Sequence, residues 1–410
     1  MADLVRWKPV SSTGMSSVRG GVRAADIHHD VALFEGLTLT SPRDVSLPEP
    51  GDTRNGSARS GGSHLEVGAG GKRRRDGRAA IVHTILIVLV VCLSFPLSGP
   101  TPAAAATGST ISGLDAHDGM VTQVGGVYYL YGTRYECGFE WGTDGTPFCG
   151  FGVWSSTDKV DWTFQRLLFD PGSTNTYDAE SWQVTCGSGG AGCFNPRMVQ
   201  RGSDGVWILW FNAPADWNRT RANAYYAMGC AGPAGPCGPG AGQFGSLHKP
   251  NLSICHDNGD FSIVDFAGAA YIACTMADQT LNIEQLDQWW TNGINVGQRR
   301  MAGLTAVESP AIVARGSVLF MTFSDPNCGY CSGTGTSYVR STTGILGNWG
   351  ARGQISATSC GGQPRAISFI DGEPYEWIDI WYDQPNETDA PIRQEPVQLD
   401  ANGDLRALSC

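Results

Sequence analysis

The sequence predicts an all-β fold, a five-bladed β-propeller, over residues 107–410, and three observations carry that expectation. Five runs of aromatic and β-branched residues each follow a turn signal. Some ten residues before each run lies a short apolar strand opened by a polar residue: Asp118, Arg197, Asp260, Glu308 and Gln363. These openers lie 79, 63, 48 and 55 residues apart, so one hairpin-plus-strands unit repeats five times.

The runs are explicit. Gly125-Gly126 precedes Val127–Tyr131, and Ser203-Asp204-Gly205 precedes Val206–Phe211. Gly268 precedes Ala269–Cys274, Arg315-Gly316 precedes Ser317–Phe323, and Asp371-Gly372 precedes the run ending at Trp381. Each reads as a hairpin turn feeding a buried strand. No long amphipathic helix interrupts them, although Leu281–Trp290 reads equally well as a short one. In a propeller the innermost strands surround the axis, so residues opening them converge at one end. Three carboxylates among five openers then face one pocket, an arrangement suited to proton chemistry.

Composition narrows the class. With 41% hydrophobic and 16% charged residues and 13 Trp, the chain as a whole is neither disordered, collagenous nor coiled coil. Its net charge of −11 argues against a nucleic-acid partner, which requires basic surface. That average hides a break near residue 106. Residues 1–106 carry 12 Lys+Arg against 9 Asp+Glu, whereas the remainder carries 16 against 30 and twelve of the 13 cysteines.

Residues 1–70, rich in Gly, Ser, Arg and Asp, read as disordered or as an over-extended gene start with initiation near Val67. Residues 71–106 read as a signal peptide. The basic Lys72–Arg75 is followed by an apolar run, Ile81–Phe95, and then by Ala103–Ala106, with cleavage expected after Ala106. The apolar run is short for a membrane span, so a retained signal anchor is the lesser reading and no stable membrane association is expected. Export to an oxidising compartment accounts for an even twelve cysteines. Sequence neighbours suggest Cys137–Cys149, Cys186–Cys193, Cys230–Cys237 and Cys255–Cys274, with connectivity left open. Cys328-x-x-Cys331 lacks the βαβ context of a redox motif, and three histidines, His117, His248 and His256, are too few and wrongly spaced for a catalytic zinc.

Asp118-Gly-Met-Val-Thr-Gln-Val-Gly-Gly-Val-Tyr-Tyr-Leu-Tyr resembles the first-blade motif of glycoside hydrolase family 43. Glu308-Ser-Pro-Ala-Ile resembles that family's Glu-Ala-Pro motif, and Asp260-Phe-Ser-Ile-Val its third-blade Asp motif. The resemblance spans roughly residues 113–400. Ala116-His117-Asp118-Gly119 is similar to the Ala-His-Gly-Gly of the exo-β-1,3-galactanase-like branch, where a glutamine stands in the base's place, as Gln363 does here. Two departures stand out: Asp118 where that branch has Gly, and Phe194-Asn195-Pro196-Arg197 where it has a Glu and a Lys around the Pro.

The resemblance implies a secreted, monomeric, inverting hydrolase that removes terminal galactose or arabinose residues from a polysaccharide. An arabinanase or xylosidase, or a catalytically silent carbohydrate-binding propeller, are the neighbouring readings. Inversion requires an acid and a base about 6.5–9.5 Å apart on opposite faces of the sugar. Glu308, among apolar neighbours, is the expected acid, and Asp118 the expected base; Asp260 would tune the acid by charge. Each has a structural alternative: a Glu–Arg bridge, or an ordinary Asp turn. His117, Gln363, Arg197 and Arg365 are expected to contact sugar, although a buried His and counter-ion arginines fit the same residues. Acid–base hydrolysis requires no cofactor; a structural Ca2+ on the propeller axis is compatible with this reading. The sequons at Asn218, Asn251 and Asn386 matter only in a host that glycosylates.

Overall fold

The turn dipeptides do what their chemistry predicts. Gly125 and Gly126 both take positive φ and join β2 (His117–Val124) to β3 (Val127–Thr133) as an antiparallel hairpin. This computed structural model describes residues 107–175, 180–187, 192–214, 223–239, 247–301, 303–325, 333–381 and 385–410. The expectations for residues 1–106, the Cys328/Cys331 pair and the Asn218 sequon lie outside them.

Five four-stranded antiparallel sheets follow one another along the chain. Blade one is β2, β3, β4 (Phe151–Ser156) and β5 (Thr163–Leu167). A two-stranded ribbon, β6 (Thr174–Asn175) with β7 (Glu180–Ser181), and the short helix α1 (Trp182–Gly187) lead to blade two. That blade is β8 (Phe194–Gln200), β9 (Trp207–Asn212), β10 (Tyr225–Cys230) and β11 (Leu247–His248). Blade three is β12 (Phe261–Phe266), β13 (Ala269–Thr275), β14 (Leu281–Leu286) and β15 (Gly293–Gln298). Blade four is β16 (Glu308–Arg315), β17 (Val318–Asp325), β18 (Gly335–Ser341) and β19 (Gly353–Ser356). In blade five, β20 (Gln363–Ile370), β21 (Glu373–Asp379) and β22 (Ile392–Pro396) are completed by β1 (Ser109–Ile111) from the other end of the propeller sequence. Of the segment Leu281–Trp290, open to a helical reading, Leu281–Leu286 forms β14 and the rest a turn, because Leu281 and Ile283 pack against blade four.

Apolar side chains lie between blades. Phe151 and Tyr131 meet Phe211 and Tyr226; Trp210 meets Phe261 and Ile272; Ile283 meets Met321 and Phe323; Phe320 packs toward Ile367; Trp377 meets Val121 and Leu130. A strand sandwiched on both faces shows no polar alternation, which is why β9 reads as an unbroken Trp-Ile-Leu-Trp-Phe-Asn with every residue buried. Each such large apolar side chain stabilises by about 1.5–3 kcal/mol. Five disulfides link described residues: the four neighbour pairs expected from the sequence, and Cys360–Cys410, which ties the C-terminus to blade five across 50 residues.

Arg197 lies where the inner strands converge, and it is 2% exposed. Its Nε donates to Phe261 O at 3.1 Å, and Nη1 to Asp118 O at 2.5 Å and Gly119 O at 3.2 Å. Nη2 donates to Asn195 Oδ1 at 3.0 Å and Arg365 O at 2.9 Å. One guanidinium thus joins the inner strands of blades one, two and five to the start of blade three. The expected donor to sugar hydroxyls is corrected here: every nitrogen of Arg197 is directed at the protein. An axial Ca2+ would have to share these five oxygens with a fixed positive charge, so we expect the fold not to depend on one. Removing this side chain leaves buried carbonyls unpaired. Arg197→Leu is therefore expected to lower unfolding free energy by about 3 kcal/mol in urea titration, whereas a chelator should leave the parent's melting temperature unchanged. A chelator-induced drop would contradict the assignment.

Candidate functional site

Four inner strands begin with the same irregularity. The ladder skips a residue between His117 and Met120, between Phe194 and Arg197, between Glu308 and Ala311, and between Pro364 and Ala366. Such a bulge turns the strand's first side chain away from the regular pleat. The structurally equivalent first residues are therefore His117, Phe194, Glu308 and Gln363. Asp118 and Arg197, expected to share a phase with Glu308 and Gln363, sit one and three positions further in. Asp118, Asn195 and Ser309 occupy the second position, all left-handed with φ of 60°, 57° and 56°.

Arg365 organises the cluster. Nη1 meets Asp260 Oδ2 at 2.5 Å, Nη2 lies 3.2 Å from Asp118 Oδ1, and Nε lies 3.5 Å from Asp379 Oδ2. Trp381 lies over the guanidinium, its ring centre 5.1 Å from Cζ. Asp260 also accepts from Asn195 Nδ2 at 2.9 Å and from the Ser309 hydroxyl. Burial opposes its ionisation, but Arg365, Ser309, Asn195 and Arg197 together hold Asp260 below the usual carboxylate range. It is the charged, partly exposed carboxylate of the site.

Glu308 behaves oppositely. Burial, reinforced by the negative charge of Asp260, pushes it up to about 7, against opposing pulls from Arg365 and Gln363. Gln363 Nε2 donates to Glu308 Oε1 at 2.7 Å, and Gln363 Oε1 has no partner among the described residues. A protonated carboxyl beside an ionised one, with an amide between blades four and five, is a proton-donating arrangement.

Asp118 does not fit the expected base. It is 1% exposed and closed in by Arg365, and burial raises its pKa. A carboxylate with no open surface cannot hold an attacking water; the side chain of Asp118 faces Arg365 instead. Its Asp-Gly sequence is explained locally: a Cβ at position 119 would strike the Tyr131 carbonyl. His117 is fully buried and neutral, pushed down to about 3 by burial and by Arg365. Its ring packs edge-on to Tyr135 at 5.2 Å and near Trp381 at 6.1 Å, and neither ring nitrogen finds a hydrogen-bond partner among the described residues. It lies behind the surface of the site.

One wall joins two loops. Asn386 Nδ2 donates to the carbonyls of Tyr135 and Phe139, and the Trp141 amide donates to Pro385 O. This engagement of its nitrogen sets Asn386 apart from the exposed sequon residue Asn251. The partly buried Trp141, Phe194 and Trp381 pack on this wall, supplying aromatic faces that composition alone could not single out.

Sequence reasoning missed Asp379. It ends β21 as the cross-strand partner of Gln363 and accepts the Asp118 amide at 2.6 Å. Burial and the neighbouring Asp118 charge raise it to about 8. Its signal was its ladder position opposite an opener, which sequence spacing does not expose.

This fold is shared with solved structures of glycoside hydrolase family 43. A β-1,3-galactosidase of that family, solved with galactodeoxynojirimycin, aligns at a TM-score of 0.56 over 72% of this chain and 93% of its own, with 18% identity. An exo-β-1,3-galactanase from Phanerochaete chrysosporium, solved with β-1,3-galactotriose, aligns at 0.55 over 74% of this chain and 67% of its own, with 16% identity. One from Clostridium thermocellum aligns at 0.54 over 72% and 61%, with 17% identity. At these identities the likeness is one of fold. No protein-family model matches the sequence, and neither does any curated protein.

A third high carboxyl, Glu376, is fully buried in β21 with neither oxygen hydrogen-bonded among the described residues, and burial raises it to about 8. Glu308, Glu376 and Asp379 thus titrate far above their unfolded values of roughly 4. The folded state holds more protons across that interval, so their stabilisation is full below about pH 4 and is lost as pH rises through 7–8. Thermal melts are expected to show stability falling toward pH 9, and the shape-preserving Glu376→Gln to flatten that fall. A rise over the same range would contradict the raised pKa values.

Proposed function

We propose that the chain is an exported, inverting glycoside hydrolase of family 43 that releases terminal galactose from β-1,3-linked galactan. The observation that carries this reading is Glu308: a carboxyl raised to about 7, touching Gln363 and adjoining the ionised Asp260. Support comes from the fold shared with β-1,3-galactosidases and galactanases, and from the order of the sequence motifs. The five disulfides favour an oxidising compartment.

Glu308 donates its proton to the glycosidic oxygen as the bond to the anomeric carbon breaks. Asp260 keeps that proton in place beforehand, because its negative charge disfavours a second one nearby. The charge developing on the sugar is offset by the acidic cluster. Gln363 fixes the Glu308 carboxyl through its Nε2. Water attacks the anomeric carbon from the face opposite Glu308; its proton passes to solvent, and Glu308 is reprotonated from solvent. Trp381 and its aromatic neighbours offer faces for a pyranose ring.

Replacing Glu308 with Gln separates this role from a binding role. The loss on galactan is expected to be on the order of a thousandfold, but under tenfold on a dinitrophenyl β-galactoside, whose phenolate leaves unaided. Since the protonated form is the active one, parental kcat/KM on galactan should fall as pH rises through about 7. Equal loss on both substrates would remove Glu308 as the acid, and a parent that binds galactan without cleaving it would favour the silent carbohydrate-binding propeller.

A further inference from the structure

Asp379 touches two groups on which the reaction's geometry depends. Its Oδ2 accepts the backbone N–H of Asp118 at 2.6 Å, which holds a residue whose φ is 60°. The same oxygen lies 3.5 Å from Nε of Arg365. The two terminal nitrogens of Arg365 face Asp260 and Asp118. Asp379 thus backs the Nε edge of the guanidinium while Nη1 meets Asp260. A chain of contacts therefore runs from Asp379 through Arg365 to Asp260, whose charge governs the proton on Glu308.

We propose that Asp379 is a positioning residue for glycoside cleavage, acting by accepting the Asp118 peptide N–H and by backing the Nε edge of Arg365 rather than by its charge. The inference rests on the glycosidase reading and adds a residue to it. The charges around the site support it. Four carboxyls, Asp118, Asp260, Glu308 and Asp379, share the region with two guanidinium groups, Arg197 and Arg365. Near-neutrality requires two protons on the carboxyls, and burial raises Glu308 and Asp379 most clearly into the neutral range, to about 7 and about 8. Among the described residues no other group near Asp379 offers a compensating charge: His117 is neutral, and burial keeps the Tyr135 phenol protonated. Glu387, also buried near Tyr135, would only add to the negative potential. A neutral Asp379 leaves Arg365 to balance Asp118 and Asp260.

Two variants separate acceptor from charge. Asp379→Asn retains the acceptor and cannot ionise; Asp379→Leu retains volume and accepts nothing. On an aryl β-galactoside and on β-1,3-galactan, Asp379→Asn is expected to keep kcat/KM within about threefold of the parent, whereas Asp379→Leu should lose kcat on the order of a hundredfold with KM little changed. Equal impairment of both variants, or a fully active Asp379→Leu, would overturn the proposal. Stability against pH provides a readout independent of turnover. Between about pH 6 and pH 9 the parent should lose stability that Asp379→Asn keeps. Superimposable curves would overturn the proposal even if the parent cleaves no glycoside, an outcome that by itself would refute only the glycosidase reading.

Discussion

The guanidinium of Arg197 takes oxygen acceptors from four blades, and the positions of the other site residues depend on it. Its contacts fall on the residues that matter. Asp118 O and Gly119 O are the bulged start of β2, Asn195 holds Asp260, and Arg365 O is the backbone of the residue gathering the carboxylates. A planar fork with five N–H donors suits this task, because it satisfies several strands at fixed angles at once. A lysine would offer one point charge and could not span them.

Above that support the chemistry is one of shared protons. Arg365 meets three aspartates and Trp381, so the buried carboxyls cannot all ionise. The surrounding hydrogen bonds decide which do. Asp260, with Arg365, Ser309 and Asn195 on its oxygens, stays charged. Glu308, with only Gln363 among the described residues donating to it, keeps its proton. Burial disfavours the charge on both carboxyls; the Arg365 charge and the hydrogen bonds from Ser309 and Asn195 overcome it only at Asp260.

Much of this was legible before the structure. Five turn-plus-run units gave the number of blades, and Glu308 and Gln363 share a ladder position as their spacing suggested. The phase failed at Asp118 and Arg197 because they lie one and three positions past the first ladder residues, His117 and Phe194; the bulge is common to all four strands, and only the register shows which residue stands first. Asp379 was invisible for a related reason: it reaches the site from the second strand of its blade, through a cross-strand pair. The four disulfides between sequence neighbours were readable, whereas Cys360–Cys410 depends on how the C-terminus returns to blade five.

The most direct test is a titration of Glu308 itself. With carboxyl-labelled glutamate, 13C NMR of the parent against Glu308→Gln assigns the resonance and follows it with pH. The account predicts a midpoint near 7, held there by burial and by the ionised Asp260. A midpoint in the ordinary carboxylate range, about 4–5, would leave Glu308 without a proton at neutral pH and contradict its role as the acid.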